Sequence, residues 1–196
     1  MLERLEQHAD DLIATLGALV TDHGPEIAGA AQVLVDALVH ERRIFCCGNG
    51  GSGANAQSFV SKLINRFEHE RPALPAIALG GDSTSLGALS ADGQLGDVFA
   101  RPLQGLAHAG DVLVVLTVSA STSNIVQAIR TAQERDCRVI ALTGLEDGEI
   151  VRMLSPRDVL LRLPARSIAR QHEVQLFVLH CFCDLIDQAL FGAHDV

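Results

Sequence analysis

The stretch DVLVVLT (Asp111–Thr117), running straight into VSASTSN (Val118–Asn124), decides the fold. An aliphatic run with no polar alternation reads as a strand buried on both faces. The hydroxyl-rich segment behind it reads as a loop, and Ser123–Glu134 as a helix. Towards the C-terminus, Arg138–Thr143 and Val159–Leu163 are further buried strands, ahead of one long helix over 167–191. Towards the N-terminus, Arg43–Cys47 is a buried strand, Gly48–Ser52 a loop, 53–67 a helix and Ala76–Leu79 a short strand. A mixed Gly/Ser/Asp segment from Gly80 leads into a helix around Asp97–Leu106. Strands that alternate with helices imply a parallel sheet covered on both faces. Five of them predict an α/β, flavodoxin-like doubly wound sheet, whose ligands sit beyond the carboxyl ends of the strands. The loops after Cys47 and Thr117 are therefore the places to look.

Ahead of this core, Leu2, Leu5, Ala9, Leu12, Ile13, Leu16 and Leu19 recur at helical spacing. Gly24-Pro25 predicts a break, with Pro25 opening a second helix over about Glu26–Val39. The expected organisation is one domain over 1–196: a helical pair in 1–41, then the α/β core and C-terminal helix in 42–196. The apolar faces of the pair need a partner, either the domain's own sheet or another subunit.

Composition limits the function classes. In 196 residues, 48% are hydrophobic and 20% charged, which is globular rather than disordered. With no Trp or Tyr, core packing falls to Leu, Val, Ile and Ala. A net charge of −9 repels phosphate backbones and anionic lipids. The densest basic cluster, Arg66 to Arg71, is broken by Glu68 and Glu70, so no direct nucleic-acid binding is expected. The five cysteines follow no framework spacing, and Cys46 and Cys47 read as small buried hydrophobes. The N-terminus is charged and amphipathic rather than a signal peptide. No segment is expected to reach the roughly 18 apolar residues of a membrane span. The expected compartment is the cytoplasm, with no membrane partner.

Two loops carry candidate chemistry. Gly48-Asn49-Gly50-Gly51-Ser52-Gly53 lets backbone N–H groups approach an anion while the next helix points its positive end at the same spot. Ser52 adds a hydroxyl donor. The loop lacks the Lys of a nucleotide triphosphatase and the G-x-G-x-x-G spacing of a dinucleotide site; it also reads as a tight turn that merely needs glycine. Around Thr117, Ser119, Ser121, Thr122 and Ser123, hydroxyls just before a helix suit phosphate oxygens, or else Ser121 or Thr122 caps that helix. Two such loops at two strand ends suit a phosphorylated sugar.

The segments CCGNGGSGANAQ (46–57), NRFEHERPALPAIAL (65–79), HAGDVLVVL (108–116), VIALTG (139–144) and CDLID (183–187) together resemble the SIS-domain family. Within it they resemble the branch that holds bacterial phosphoheptose isomerases and DnaA initiator-associating adaptors. The resemblance runs from the first helix to Phe191. It implies a five-stranded parallel sheet, a homotetramer, and a phosphosugar site between subunits built here from Asn49, Gly50, Gly51, Ser52, Asp92, Thr117, Ser119 and Thr122.

The resemblance also implies what has been lost. Isomerases of the branch are expected to carry a His and a Glu one turn apart on the helix after the first loop; here they are Ser58 and Lys62. On the last helix a Gln and a His are expected eight residues apart; here they are His172 and His180. Ser is a poor zinc ligand, and Lys62 brings a positive charge where a metal cation would sit. Eight helical residues span about 12 Å, too far for both histidines of one chain to share a metal unaided. Ala120 and Val118 replace a Gly and a hydroxyl residue of the second loop, and Ala91 replaces an Asn before Asp92.

No catalytic residue, metal or cofactor is therefore expected. The implied function is a non-catalytic adaptor that binds the DnaA initiator through Leu190 and Phe191 and promotes its assembly at the replication origin. The alternative is a sedoheptulose 7-phosphate isomerase using zinc, with His172 and His180 as surviving ligands and His180 as acid or base. A third possibility is a phosphosugar sensor whose ligand alters partner assembly.

Overall fold

The computed structural model describes residues 1–192. Its elements are α1 (Leu2–Val39), β1 (Ile44–Gly48), α2 (Gly51–Ile64), β2 (Ala76–Ala78), α3 (Ser83–Ala91), α4 (Ala100–Leu106), β3 (Val112–Leu116), α5 (Ser123–Glu134), β4 (Arg138–Thr143), α6 (Glu149–Met153), β5 (Val159–Arg162) and α7 (Ile168–Phe191). The five strands form one parallel sheet in the order β2-β1-β3-β4-β5. Cys46 pairs with Val114, and Val114 with Ile140. From β1 the chain steps outward to β2, then returns to β3 on the other side. The loops after β1 and β3 therefore flank the switch point of the sheet, the doubly wound arrangement expected from the sequence.

Strand side chains alternate between faces. Ile44, Cys46, Val112, Val114, Leu116, Ile140 and Leu142 pack under α1, α2 and α7. Phe45, Cys47, Leu113, Val115, Val139 and Ala141 pack under α4 and α5 on the other face. Both faces are dry, which is why the strands read as unbroken apolar runs. Buried Asp111 starts β3 by accepting from the Arg43 and His108 amides at 2.8 Å each. Asp158 does the same before β5, accepting from the Val139 amide at 2.8 Å and the Ser155 amide at 2.9 Å.

Three sequence expectations need correcting. The N-terminal pair is a single helix, α1, that runs through Pro25. Proline removes one backbone hydrogen bond and typically costs about 3 kcal/mol inside a helix. Buried residues on both sides of it, Leu19 before and Ile27, Ala30, Ala31 and Leu34 after, join one core and offset that cost. Second, the segment from Gly80 holds a helix, α3, and α6 was also unforeseen. No residue of α3 is buried, so its sequence shows no apolar period to read. Third, α7 is long and apolar enough to cross a membrane. Its apolar face, with Val174, Val178, Leu179, Phe182 and Ile186, lies fully buried in the domain core instead.

All five cysteines are free thiols. Burial holds Cys46 and Cys47 well above the ordinary thiol range, which makes them inert core residues.

Candidate functional site

The first loop is shaped by close backbone contacts. A Cβ on Gly48 would lie 2.7 Å from the Ser52 carbonyl carbon, and one on Gly53 would lie 2.7 Å from the Gly48 oxygen. Gly50 sits at φ +55°, where L side chains are strained. The loop thus curls tightly into α2, whose N-cap, Gly50, offers no side chain to the first-turn amides. A Cβ on Gly51 would come within 2.5 Å of the His172 imidazole, which lies directly over the loop. The first-turn amides that no side chain caps lie at the positive end of the α2 dipole, an environment that favours an anion.

The second loop folds largely on itself. The Thr117 hydroxyl donates to the Ser119 carbonyl at 2.8 Å, and the Ser119 amide donates back to Thr117 Oγ1 at 3.2 Å. Thr122 is the N-cap of α5 but makes no side-chain cap bond, so its hydroxyl does not serve the helix. The two loops are joined across the switch point: Asn49 Nδ2 donates to Asn124 Oδ1, and Asn124 Nδ2 to Asn49 Oδ1, each at 2.9 Å. The Asn49–Asn124 pair therefore sets Gly50 and Gly51 of the first loop beside the loop that carries Ser119 and Thr122.

Two hydroxyls proposed as donors point elsewhere. Ser52 is 2% exposed, and its hydroxyl donates inward to Gln175 Oε1 at 2.9 Å. Thr117 is likewise buried and engaged within its own loop. Asp92 lies exposed at the C-cap of α3, a helix that packs on the 3-10 turn Leu95–Asp97.

Helices α2 and α7 run side by side in the same direction. His172 meets Gly51 and, through its carbonyl, Asn55 Nδ2 at 2.8 Å. Gln175 meets Ser52, and Phe182 meets Phe59 edge-on with ring centroids 6.4 Å apart. Below this, Lys62 Nζ donates to Ser58 Oγ at 3.1 Å. The Lys62 ammonium also acts on His180. Burial first, then Lys62, hold that imidazole below its ordinary pKa, while Glu68 pulls it upward. His180 leans on Phe67 with centroids 5.4 Å apart, and its Nε2 is buried without a hydrogen-bond partner among the described residues. It lines an apolar groove of about 820 Å³ between α1, the segment after α2, and α7. Glu68 lies on the same groove, although by sequence it falls beyond the face that carries Lys62.

This set does not fit zinc. His172 covers the first loop while His180 sits two turns along, and a hydrogen-bonded ammonium stands where a carboxylate ligand would be needed. Among the described residues no three His, Cys, Asp or Glu side chains cluster as a metal would require.

At the far end of α7, Leu190 is partly buried and Phe191 is exposed. Arg71 lies beneath them. Its Nε donates to Asp187 Oδ1 at 2.7 Å, and its Cζ is 6.0 Å from the Phe191 ring centroid. Sequence reasoning did not single out Asn124, Gln175 or Arg71. Each makes its contact with a residue at least 75 positions away, a pairing that no local pattern carries.

Comparison with known proteins places this architecture. The SIS domain family matches residues 7–144. The chain is 43% identical to the DnaA initiator-associating protein DiaA of Cronobacter sakazakii over 195 residues, covering 100% of both. It is 44% identical to a phosphoheptose isomerase of Chromohalobacter salexigens over 169 residues, 86% of each chain. The structure of a phosphoheptose isomerase from Francisella tularensis matches with a TM-score of 0.91 at 37% identity, covering 95% of this chain and 98% of that one.

Proposed function

The chain belongs to the SIS-domain family, and from that premise we propose that it is a non-catalytic adaptor with a phosphosugar-type cleft that binds the DnaA initiator and promotes its assembly at the replication origin. The observation that carries this reading is the Lys62–Ser58 hydrogen bond. Isomerisation of a sugar phosphate moves a proton between adjacent carbons and needs a base and an acid flanking an enediolate. A hydroxyl and an ammonium bonded to each other supply neither a carboxylate base nor a metal site. The cleft between Asn49 and Thr122 keeps uncapped helix amides, so an anionic sugar can still bind without turnover. The initiator contact is assigned to Leu190 and Phe191. Four copies in a cytoplasmic homotetramer would present four such ends and gain avidity from them. No cofactor is required, and the acidic chain meets protein rather than DNA.

A second reading has one observation of its own. The unpartnered Nε2 of His180 and the Glu68 carboxylate share a groove, and an imidazole with a carboxylate is an acid–base pair in kind. On that reading the protein is a sedoheptulose 7-phosphate isomerase. One experiment separates the two: purified protein is assayed for isomerisation of sedoheptulose 7-phosphate with and without zinc, and for capture of the DnaA initiator. Capture without turnover is expected. Turnover at the rate of a phosphoheptose isomerase would overturn the adaptor reading.

A further inference from the structure

Arg71 belongs to no helix or strand, yet its side chain is 2% exposed. Its Nη1 donates to the Leu63 carbonyl at 2.8 Å and to the Pro72 carbonyl at 3.0 Å, its Nη2 to the Lys62 carbonyl at 2.7 Å, and its Nε to Asp187 at 2.7 Å. The last carbonyls of a helix have no intrahelical donor. One guanidinium therefore closes the C-terminus of α2 and neutralises a carboxylate in the final turns of α7. The Cζ of the same group lies over the Phe191 ring, 6.0 Å from its centroid, at the outer limit of cation–π range.

Phe191 is the last residue of α7 and is 37% exposed, at a position where helices ordinarily fray. Here the ring neighbours a group that four polar contacts hold still. An aromatic side chain fixed before its partner arrives loses little freedom on binding, which is how an anchoring residue gains affinity.

We propose that Arg71 is a positioning residue for partner binding: it holds Phe191 so that the open side of the ring can be taken up by an apolar pocket of a protein partner. The identity of that partner rests on the adaptor reading, whereas the geometry does not. Lysine at position 71 would keep the charge. It would lose the fork that reaches two helix carbonyls and a carboxylate at once, and with it the fixed position of the charge near the ring.

The test uses the full chain as wild type, Arg71→Lys, Phe191→Ala, Phe191→Leu and the Arg71→Lys/Phe191→Ala double variant. Affinity for immobilised DnaA initiator is measured, along with amide hydrogen exchange at 189–192 without partner. Arg71→Lys is expected to weaken binding roughly tenfold, and Phe191→Ala to cost far less in that background than in the wild type. The amides at the end of α7 should exchange faster in Arg71→Lys, with those of mid-α7 unchanged. Phe191→Leu leaves the ion pair intact and should show the same faster exchange, which covers the case of Arg71→Lys failing to fold. Equal cost of Phe191→Ala in both backgrounds, or wild-type exchange at 189–192 in both single variants, overturns the proposal. Wild type that ignores the initiator removes the adaptor reading instead, and the exchange rates alone then judge Arg71.

Discussion

Lys62 donates from its Nζ to the Oγ of Ser58 across 3.1 Å, one turn apart on α2. Neither side chain is a carboxylate, so this helix face offers no carboxylate base. Loss of a positioned acid or base typically lowers a rate about 10²–10⁴-fold. Sedoheptulose 7-phosphate turnover should therefore fall at least that far below a phosphoheptose isomerase assayed alongside. The double substitution Ser58→His and Lys62→Glu should raise it in the presence of zinc. A wild-type rate equal to the isomerase's would contradict the assignment.

His180 gives a pH signature. Burial, and after it the Lys62 ammonium, keep its folded pKa below the ordinary 6.5. The unfolded chain then binds the proton more readily than the folded one. This group costs no stability above about pH 6.5; stability falls as pH drops from there towards the folded value, and levels off below it. Replacing Lys62 with Gln removes a repelling charge and should move the His180 midpoint upward. Titration of its ring protons by NMR reads this directly, and an unmoved midpoint would show that Lys62 does not act on it.

Glycines in the first loop and in α3 should respond oppositely to alanine. At Gly48 the new Cβ meets Ser52 backbone at 2.7 Å, so the loop must move, at a cost of about 1–3 kcal/mol. At Gly87, mid-α3, nothing lies within 4 Å, and the better helix former should stabilise by up to about 1 kcal/mol. Chemical denaturation of the two variants checks the contrast; equal effects would mean the loop is not packed as described.

Ligand occupancy of the cleft should appear in the melting curve. Sedoheptulose 7-phosphate at a hundred times its dissociation constant should add about 2.7 kcal/mol of stability. Asn49→Asp sets a carboxylate among the uncapped amides, beside Asn124, and should abolish the shift. A shift that survives Asn49→Asp would place the ligand elsewhere.

The sheet was legible because its strands are buried on both faces. Runs such as Val112–Leu116 admit few other readings once helices separate them. Pro25 misled because local propensity was weighed without the core that Leu19 and Ile27 share across it. The positions of the two loops could be read from the sequence, but the direction of their side chains could not. Nothing near Ser52 announces that its hydroxyl turns inward to Gln175, and nothing near Gly51 that an imidazole covers it. Those facts belong to the packing of α7 on α2. The proposed partner contact at Leu190 and Phe191 rests on resemblance, while the arginine beside Phe191 is visible only in the fold.

The side-by-side course of α2 and α7 imposes a counting rule on the gene. His172 over Gly51, Gln175 on Ser52 and Phe182 against Phe59 are rungs of one ladder, and Asp187 on Arg71 continues it past the end of α2. Deleting a single codon inside α7 would swing every later side chain about 100° around the axis. The rungs beyond the deletion would all miss their mates together. Length changes in such a chain must therefore accumulate in its loops, and the spacing between positions 172 and 187 is as strict a requirement as any residue it carries.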